Sequence, residues 1–233
     1  MGQAVVNKFA DAGAEVISVD FVAGPPAASY SVVLEPKPTF AAAALDAGDK
    51  VAELLRVSGA PKVNAVVCTA GAWAGGGVGD ADGLAAVDAM MGANLQSAVT
   101  ASHLAAQHLT GTSDGLLVLT GAAGVLGESG TDFMAGYGMA KVATHQLVAS
   151  MADSGMHAVA ILPNVIDTPN NRIAMPDADH SSWDSADDMA AMIVGWAKGG
   201  SDSRPPNGSL VKIVTEGGKT AQGGALSHTG RAL

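Results

Sequence analysis

The sequence predicts an α/β protein with a doubly wound parallel sheet and helices on both of its faces. Short β-branched runs alternate with segments of helical period, which is the pattern of a parallel sheet buried on both sides. Glycines follow several of the strand-like runs, where backbone can approach a ligand at the carboxyl end of the sheet. A third observation marks the functional region. Tyr137 and Lys141 stand four residues apart at the head of the apolar run 142–151, so one helix face presents both.

With 233 residues and 48% hydrophobic content, the chain can bury one sizeable core, and a single domain over 1–233 is expected. Twelve basic against 22 acidic residues leave a formal charge of −10, which argues against nucleic acid and anionic membranes as partners. Cys68 is the sole cysteine, so no internal disulfide can form, and no Cys/His cluster has metal-ligand spacing. A reducing, cytoplasmic setting fits. Lys8 and Asp11 interrupt the first apolar face, and Val6 stands where a myristoylation motif needs Ser or Thr.

In order, residues 2–12 read as a helix ended by Gly13. Residues 15–21 form a buried strand that ends in Asp20. In a dinucleotide-binding unit an acid at that place bonds the ribose hydroxyls and repels a 2′-phosphate, which favours NADH over NADPH; the alternative is a strand-end turn residue. Residues 30–34 are a second strand, and 39–57 an alanine-rich helix with Thr39 as its cap. A third strand, 62–68, runs into Thr69-Ala70-Gly71-Ala72-Trp73-Ala74-Gly75-Gly76-Gly77. Trp73 there is either a platform for a flat ring or a cover for the sheet end.

Residues 85–109 read as one long helix, with Asn94 facing solvent or bonding its own backbone. His103 and His108 are surface or packing residues. A strand at 116–120 leads through a glycine-rich loop to the Tyr137 helix, which therefore begins beside the ligand crevice of the sheet. Within the Tyr–Lys pair the ammonium is expected to lower the phenol pKa and make Tyr137 a usable proton donor. A strand at 157–162 precedes Pro163, Asp167 and Thr168. The aperiodic segment 170–182 suits a mobile lid, 184–198 a last helix and 209–214 a last strand. From about 217 the Gly/Ala-rich tail is expected to be poorly ordered.

With these pieces in line the chain resembles the short-chain dehydrogenase/reductase superfamily and, within it, the quinonoid dihydropteridine reductases. The resemblance extends from residue 2 to about 220. It rests on Cys68-Thr69-Ala70-Gly71-Ala72-Trp73-Ala74-Gly75-Gly76, Tyr137-Gly138-Met139-Ala140-Lys141, Asp167-Thr168-Pro169-Asn170-Asn171-Arg172, and Met175-Pro176 through Ser181-Ser182-Trp183.

The resemblance implies a Rossmann-type fold and NADH-dependent reduction of a quinonoid dihydropteridine to the tetrahydropteridine, with NADPH less favoured. Tyr137 would be the proton donor, and Lys141 would bind the nicotinamide ribose. Ala70 and Gly71 would lie along the adenosine side, Asp20 would select NADH, and Thr168, after Pro163, would hold the carboxamide or a phosphate. Trp73 would sit by the pterin, and the protein would be a homodimer through helices that include the Tyr137 helix. A superfamily relay through an asparagine on the preceding helix leaves the part of Asn94 open.

Two departures from the superfamily pattern matter. Carbonyl-reducing members carry a serine about thirteen residues before the tyrosine, whereas this loop reads Gly121-Ala122-Ala123-Gly124, as in the dihydropteridine reductases. Ser129 lies too close to Tyr137 to take that part. The family also begins with a strand and a glycine-rich turn, of which only Gly2 is present as the last glycine. A first strand missing from the middle of the sheet is expected to leave two unpaired strand edges and an open core, explained by a sequence that starts late or else by a defective fold that binds cofactor weakly. The alternatives are another short-chain carbonyl or quinonoid reductase, or a non-catalytic dinucleotide-fold protein.

Overall fold

The computed structural model describes residues 1–59, 62–79, 81–109, 114–127 and 132–227. Its elements run α1 (Gly2–Asp11), β1 (Ile17–Asp20), β2 (Tyr30–Val33), α2 (Phe40–Ser58), β3 (Ala65–Val67), α3 (Ala81–Met90), α4 (Ser97–His108), β4 (Leu116–Thr120) and α5 (Ala135–Asp153). They continue with β5 (Ala158–Leu162), β6 (Ile166–Asp167), α6 (Pro169–Ala174), β7 (Asp184–Ser185), α7 (Ala186–Lys198), β8 (Leu210–Glu216) and β9 (Lys219–Leu226). Local chemistry sets several of these bounds. The Thr39 hydroxyl accepts the Ala42 amide 3.1 Å away at the start of α2, and Gly59 ends that helix in the left-handed region, where a Cβ is costly.

The alternating side chains of the central strands explain why both sheet faces are covered. Leu117, Leu119, Ala158, Ala160 and Leu162 point to one face and pack with Ala98, Ala101 and Ala105 of α4 and Val148 of α5. Leu116, Val118, Val159 and Ile161 point to the other, against Val5 of α1 and Met189, Ile193 and Trp196 of α7. Small alanines on α4 let that helix lie close to the strands. At roughly 25 cal/mol per Å² of apolar surface removed from water, these two layers supply the main stabilisation.

The sheet is divided. β3-β4-β5-β8-β9 form one sheet, parallel as far as β8, while β1 and β2 pair only with each other among the described residues. Val32, Ala47, Val51 and Leu104 form a third cluster that ties this small sheet to α2 and α4. Between β1 and β3 lies a cleft of about 1690 Å³, lined by Val5 and Phe9, Ile17 and Val19, Ala65 and Val67, and Thr100 and Leu104. Among the described residues β1 and β3 thus each present an edge without a strand partner, one on either side of this cleft.

Three expectations need correction. The helix expected over 85–109 is two helices joined by a widened turn, Met91–Gln96, whose bonds span five residues. The tail from 217 is not loose in its described part: Gly217 and Gly218, both at positive φ, turn the chain into β9, which pairs antiparallel with β8. Tertiary contacts impose that strand, since the Thr220 amide donates to Asp188 (3.1 Å) and the Thr220 hydroxyl accepts the Ser185 amide (2.8 Å). The segment 170–182 also carries structure of its own, α6 and a single turn at His180–Ser182.

Candidate active site

α5 brings Tyr137 and Lys141 onto one face at the carboxyl ends of β3 and β4. The Lys141 Nζ lies 5.6 Å from the centre of the Tyr137 ring and donates to the Thr120 carbonyl at 2.9 Å. Only 5% of Lys141 is exposed, and burial lowers its pKa to about 8, with the Cys68 thiol opposing the drop. Burial acts on the phenol in the other direction. Tyr137 is raised above the usual phenol value, so the expected lowering by Lys141 is not found in the chain alone; desolvation of the ring outweighs an ammonium that sits over its face.

Of the two alternatives for Asn94, facing solvent or bonding its own backbone, the second holds, with the side chain turned inward. The widened turn rotates it inward to 2% exposure, and its Nδ2 donates to the carbonyls of Ala72 (3.0 Å) and Met90 (3.2 Å). Its Oδ1 is buried and has no hydrogen-bond partner among the described residues. Gly71 shows what this pocket requires: a Cβ there would lie 2.6 Å from the Asn94 Oδ1 and 3.5 Å from the Lys141 Nζ. Asn94, Gly71 and Lys141 therefore enclose one small polar space. An asparagine in mid-helix was the signal for this turn.

The loop 71–77 is stitched to the entrance of α5 by backbone bonds from Gly76 to Phe133 (2.6 Å) and from Ala135 to Gly76 (3.1 Å). Trp73 sits in that loop with 60% of its surface exposed, its ring against Gly75. Across the entrance, Ala122, Val125 and Met134 form an apolar cluster against which Tyr137 packs. Ser129 lies outside the described residues.

Gly2, Asp20, Ala70 and Gly71 all line the long cleft, with Asp20 exposed at the end of β1. A Cβ on Gly2 would stand 3.0 Å from the Thr69 Oγ1, so this helix start and the end of β3 approach closely. Tyr137 and Lys141 are not in the lining of the cleft, and Gly71 joins the two regions. Pro163 accepts the Ala123 amide (3.1 Å), and Thr168 caps α6 by accepting the Asn171 amide (3.2 Å).

The segment after Thr168 closes on itself. Arg172 forms two charge-assisted bonds to Asp167, of 2.6 and 2.7 Å, and these hold the Asp167 carboxyl below its ordinary pKa. Its Nη1 also meets the His180 Nδ1 at 3.3 Å, while the His180 Nε2 faces the Met175 carbonyl at 3.1 Å. The His180 ring rests 4.2 Å from that of buried Trp183.

Among the described residues there is no cluster of metal-ligating side chains. No described helix is long and apolar enough to cross a membrane.

Residues 1–178 match the family model for short chain dehydrogenases. The dihydropteridine reductase of Dictyostelium discoideum is 35% identical over 226 residues, covering 93% of this chain and 90% of that protein. Among solved structures, a short-chain dehydrogenase/reductase from Serratia marcescens superposes with a TM-score of 0.71 at 22% identity, covering 93% of this chain and 92% of the other. The Thermoplasma acidophilum aldohexose dehydrogenase gives 0.68 at 18%, covering 88% and 91%. At such identities these two structures speak to fold alone. The doubly wound sheet, the Tyr137–Lys141 face and the extent of both sequence matches agree, and the chain belongs to the short-chain dehydrogenase family.

Proposed function

We propose that the chain is an NADH-dependent reductase that converts a quinonoid dihydropteridine to the tetrahydropteridine, and so regenerates tetrahydrobiopterin. The match to a dihydropteridine reductase over nearly the whole chain supports the class of substrate. The observation that carries the narrower reading is the apolar packing of Tyr137 against the cluster of Ala122, Val125 and Met134. A ketone needs a hydroxyl there to polarise its oxygen, whereas a quinonoid pterin is already electron-poor and does without one.

The chain's residues fit a nicotinamide dinucleotide. Gly2 at the start of α1, Asp20 at the end of β1 and the bare backbone of Ala70 and Gly71 follow one cleft, and the Asn94 Oδ1 and the Lys141 ammonium lie beside Gly71. When bound, NADH supplies the hydride. Asp20 accepts hydroxyls of the adenosine ribose and repels a 2′-phosphate, which favours NADH over NADPH. Lys141 holds the nicotinamide ribose, Thr168 and the backbone at Pro163 face the nicotinamide end, and Trp73 offers its exposed ring to the pterin. Tyr137 gives a proton to the pterin ring, and the Lys141 ammonium stabilises the phenolate left behind.

The exposed Met139 and Val142 of α5 and Leu84 of α3 support a homodimer with these helices at its interface. The buried, unpaired Cys68 supports a cytoplasmic setting. The test of the reaction is loss of NADH absorbance with a quinonoid dihydropterin beside a panel of ketones. Preference for a ketone would assign the chain to another short-chain reductase.

The open cleft between β1 and β3 favours a second reading, a non-catalytic dinucleotide-fold protein. It predicts that well-folded protein gives no saturable response to NADH.

A further inference from the structure

One turn below Lys141 on the same face of α5 lies His145, with 3% of its surface exposed and no place in the reaction just described. It is the third member of a ladder at positions 137, 141 and 145, all on one helix face. Its ring lies on the backbone where β4 passes into its loop. A Cβ on Gly121 would clash with the imidazole and would come within 2.5 Å of Leu162, so glycine is what lets the ring reach this backbone.

The three amides of the loop each have a different partner. Gly121 donates to the Ile161 carbonyl (2.9 Å), continuing the sheet, and Ala123 donates to the Pro163 carbonyl (3.1 Å). Ala122 alone depends on a side chain, donating to the His145 Nε2 at 3.3 Å. Ala122 is buried, so without His145 its N–H would lose its acceptor and have no water to replace it. The same residue packs its methyl in the cluster around Tyr137. Imidazole and amide are thus joined to the apolar cluster against which the phenol packs.

We propose that His145 is a positioning residue for Tyr137, acting by holding the Ala122 amide so that the loop packs the phenol in place. The bond requires a neutral ring with its proton on Nδ1. Burial, and then the charge of Lys141, lower the His145 pKa to about 4, so the acceptor is retained at neutral pH. Lys141 is the charged group that acts on the ring.

The inference rests on Tyr137 being the proton donor, and its test reads Tyr137 without turnover. The phenolate absorbance is titrated in parent, His145→Leu, His145→Asn and His145→Gln proteins, with Tyr137→Phe subtracting Tyr30. Leu offers no acceptor, Asn has one that falls short, and Gln has one that reaches. In the Leu and Asn variants a loosened loop admits water to the ring, and the titration falls by about half a pH unit or more toward the ordinary phenol value; in Gln it stays with the parent.

In a pterin assay kcat should drop about ten- to hundredfold for Leu and Asn while NADH affinity changes less than about threefold. Should the Leu protein fail to fold, the Asn and Gln pair decides alone, since they differ in reach and not in polarity. A Leu or Asn protein that titrates with the parent, or a Gln protein that shifts as far as Asn, overturns the proposal. A parent that titrates as described yet reduces no pterin would instead overturn the proposed function.

Discussion

Lys141→Met is expected to make the protein more stable at neutral pH and inactive. The Nζ is buried with one hydrogen bond, to Thr120, and burial lowers its pKa from 10.5 to about 8. That drop corresponds to roughly 3 kcal/mol of penalty for holding the charge in the folded state. Removing the ammonium relieves the penalty and forfeits the bond to Thr120, worth about 1–2 kcal/mol, so a net gain of about 1–2 kcal/mol is expected near pH 7.

The sign follows from linkage. Below about pH 8 both folded and unfolded chains carry the charge, and the folded chain bears the full cost. Between about 8 and 10.5 the folded chain releases its proton first, so parental stability rises with pH while the variant lacks this term. Urea unfolding near pH 7 and near pH 9.5 measures it, and the advantage of the variant should shrink by about 2 kcal/mol between the two. A variant less stable than the parent at pH 7, or one whose stability follows the parent's pH dependence, would refute the reasoning. The fold then carries a cost at the position the chemistry needs, as strained functional sites often do.

Other expectations follow from the same site. Asn94→Ala removes the two bonds from its Nδ2 to the Ala72 and Met90 carbonyls, so stability should fall by about 1–2 kcal/mol, while the pH profile of kcat should move if Asn94 serves a proton relay; an unchanged profile removes it from the mechanism. Asp20→Ser should narrow the preference for NADH over NADPH by about tenfold or more in kcat/KM, and equal discrimination before and after would take Asp20 out of cofactor choice. Arg172→Leu breaks the paired bonds to Asp167 and the contact with His180, so KM for the pterin should rise several-fold with the melting temperature nearly unchanged, because the pair is exposed; an unaltered KM would detach this segment from substrate binding.

The parts of this structure that could be read in advance are those where local chemistry and tertiary fate agree. β5, and β4 as far as Leu119, are apolar because they are buried on both faces, and α2 carries its own cap and stop. The spacing of Tyr137 and Lys141 placed them on one face before any coordinates. What could not be read depends on partners distant in sequence. Lys219–Leu226 contains two adjacent glycines and little alternation, and becomes a strand because β8 offers an edge and Asp188 and Ser185 bind Thr220. The inward turn of Asn94 needs a local widening of the helix that no propensity encodes. Nothing local singles out His145, since the Ala122 amide whose N–H it accepts lies 23 residues away. The rise in the Tyr137 pKa comes from burial of the ring among Ala122, Val125 and Met134, which spacing alone does not report.

Reduction of a quinonoid dihydropterin through Tyr137 is read out by steady-state NADH oxidation with that substrate, for the chain and for Tyr137→Phe, each first titrated with NADH. Saturable NADH binding by both proteins and turnover by the parent are expected, with kcat lowered about a hundredfold or more in the variant. Turnover unchanged by Tyr137→Phe, or folded protein that neither binds NADH nor oxidises it, would contradict it.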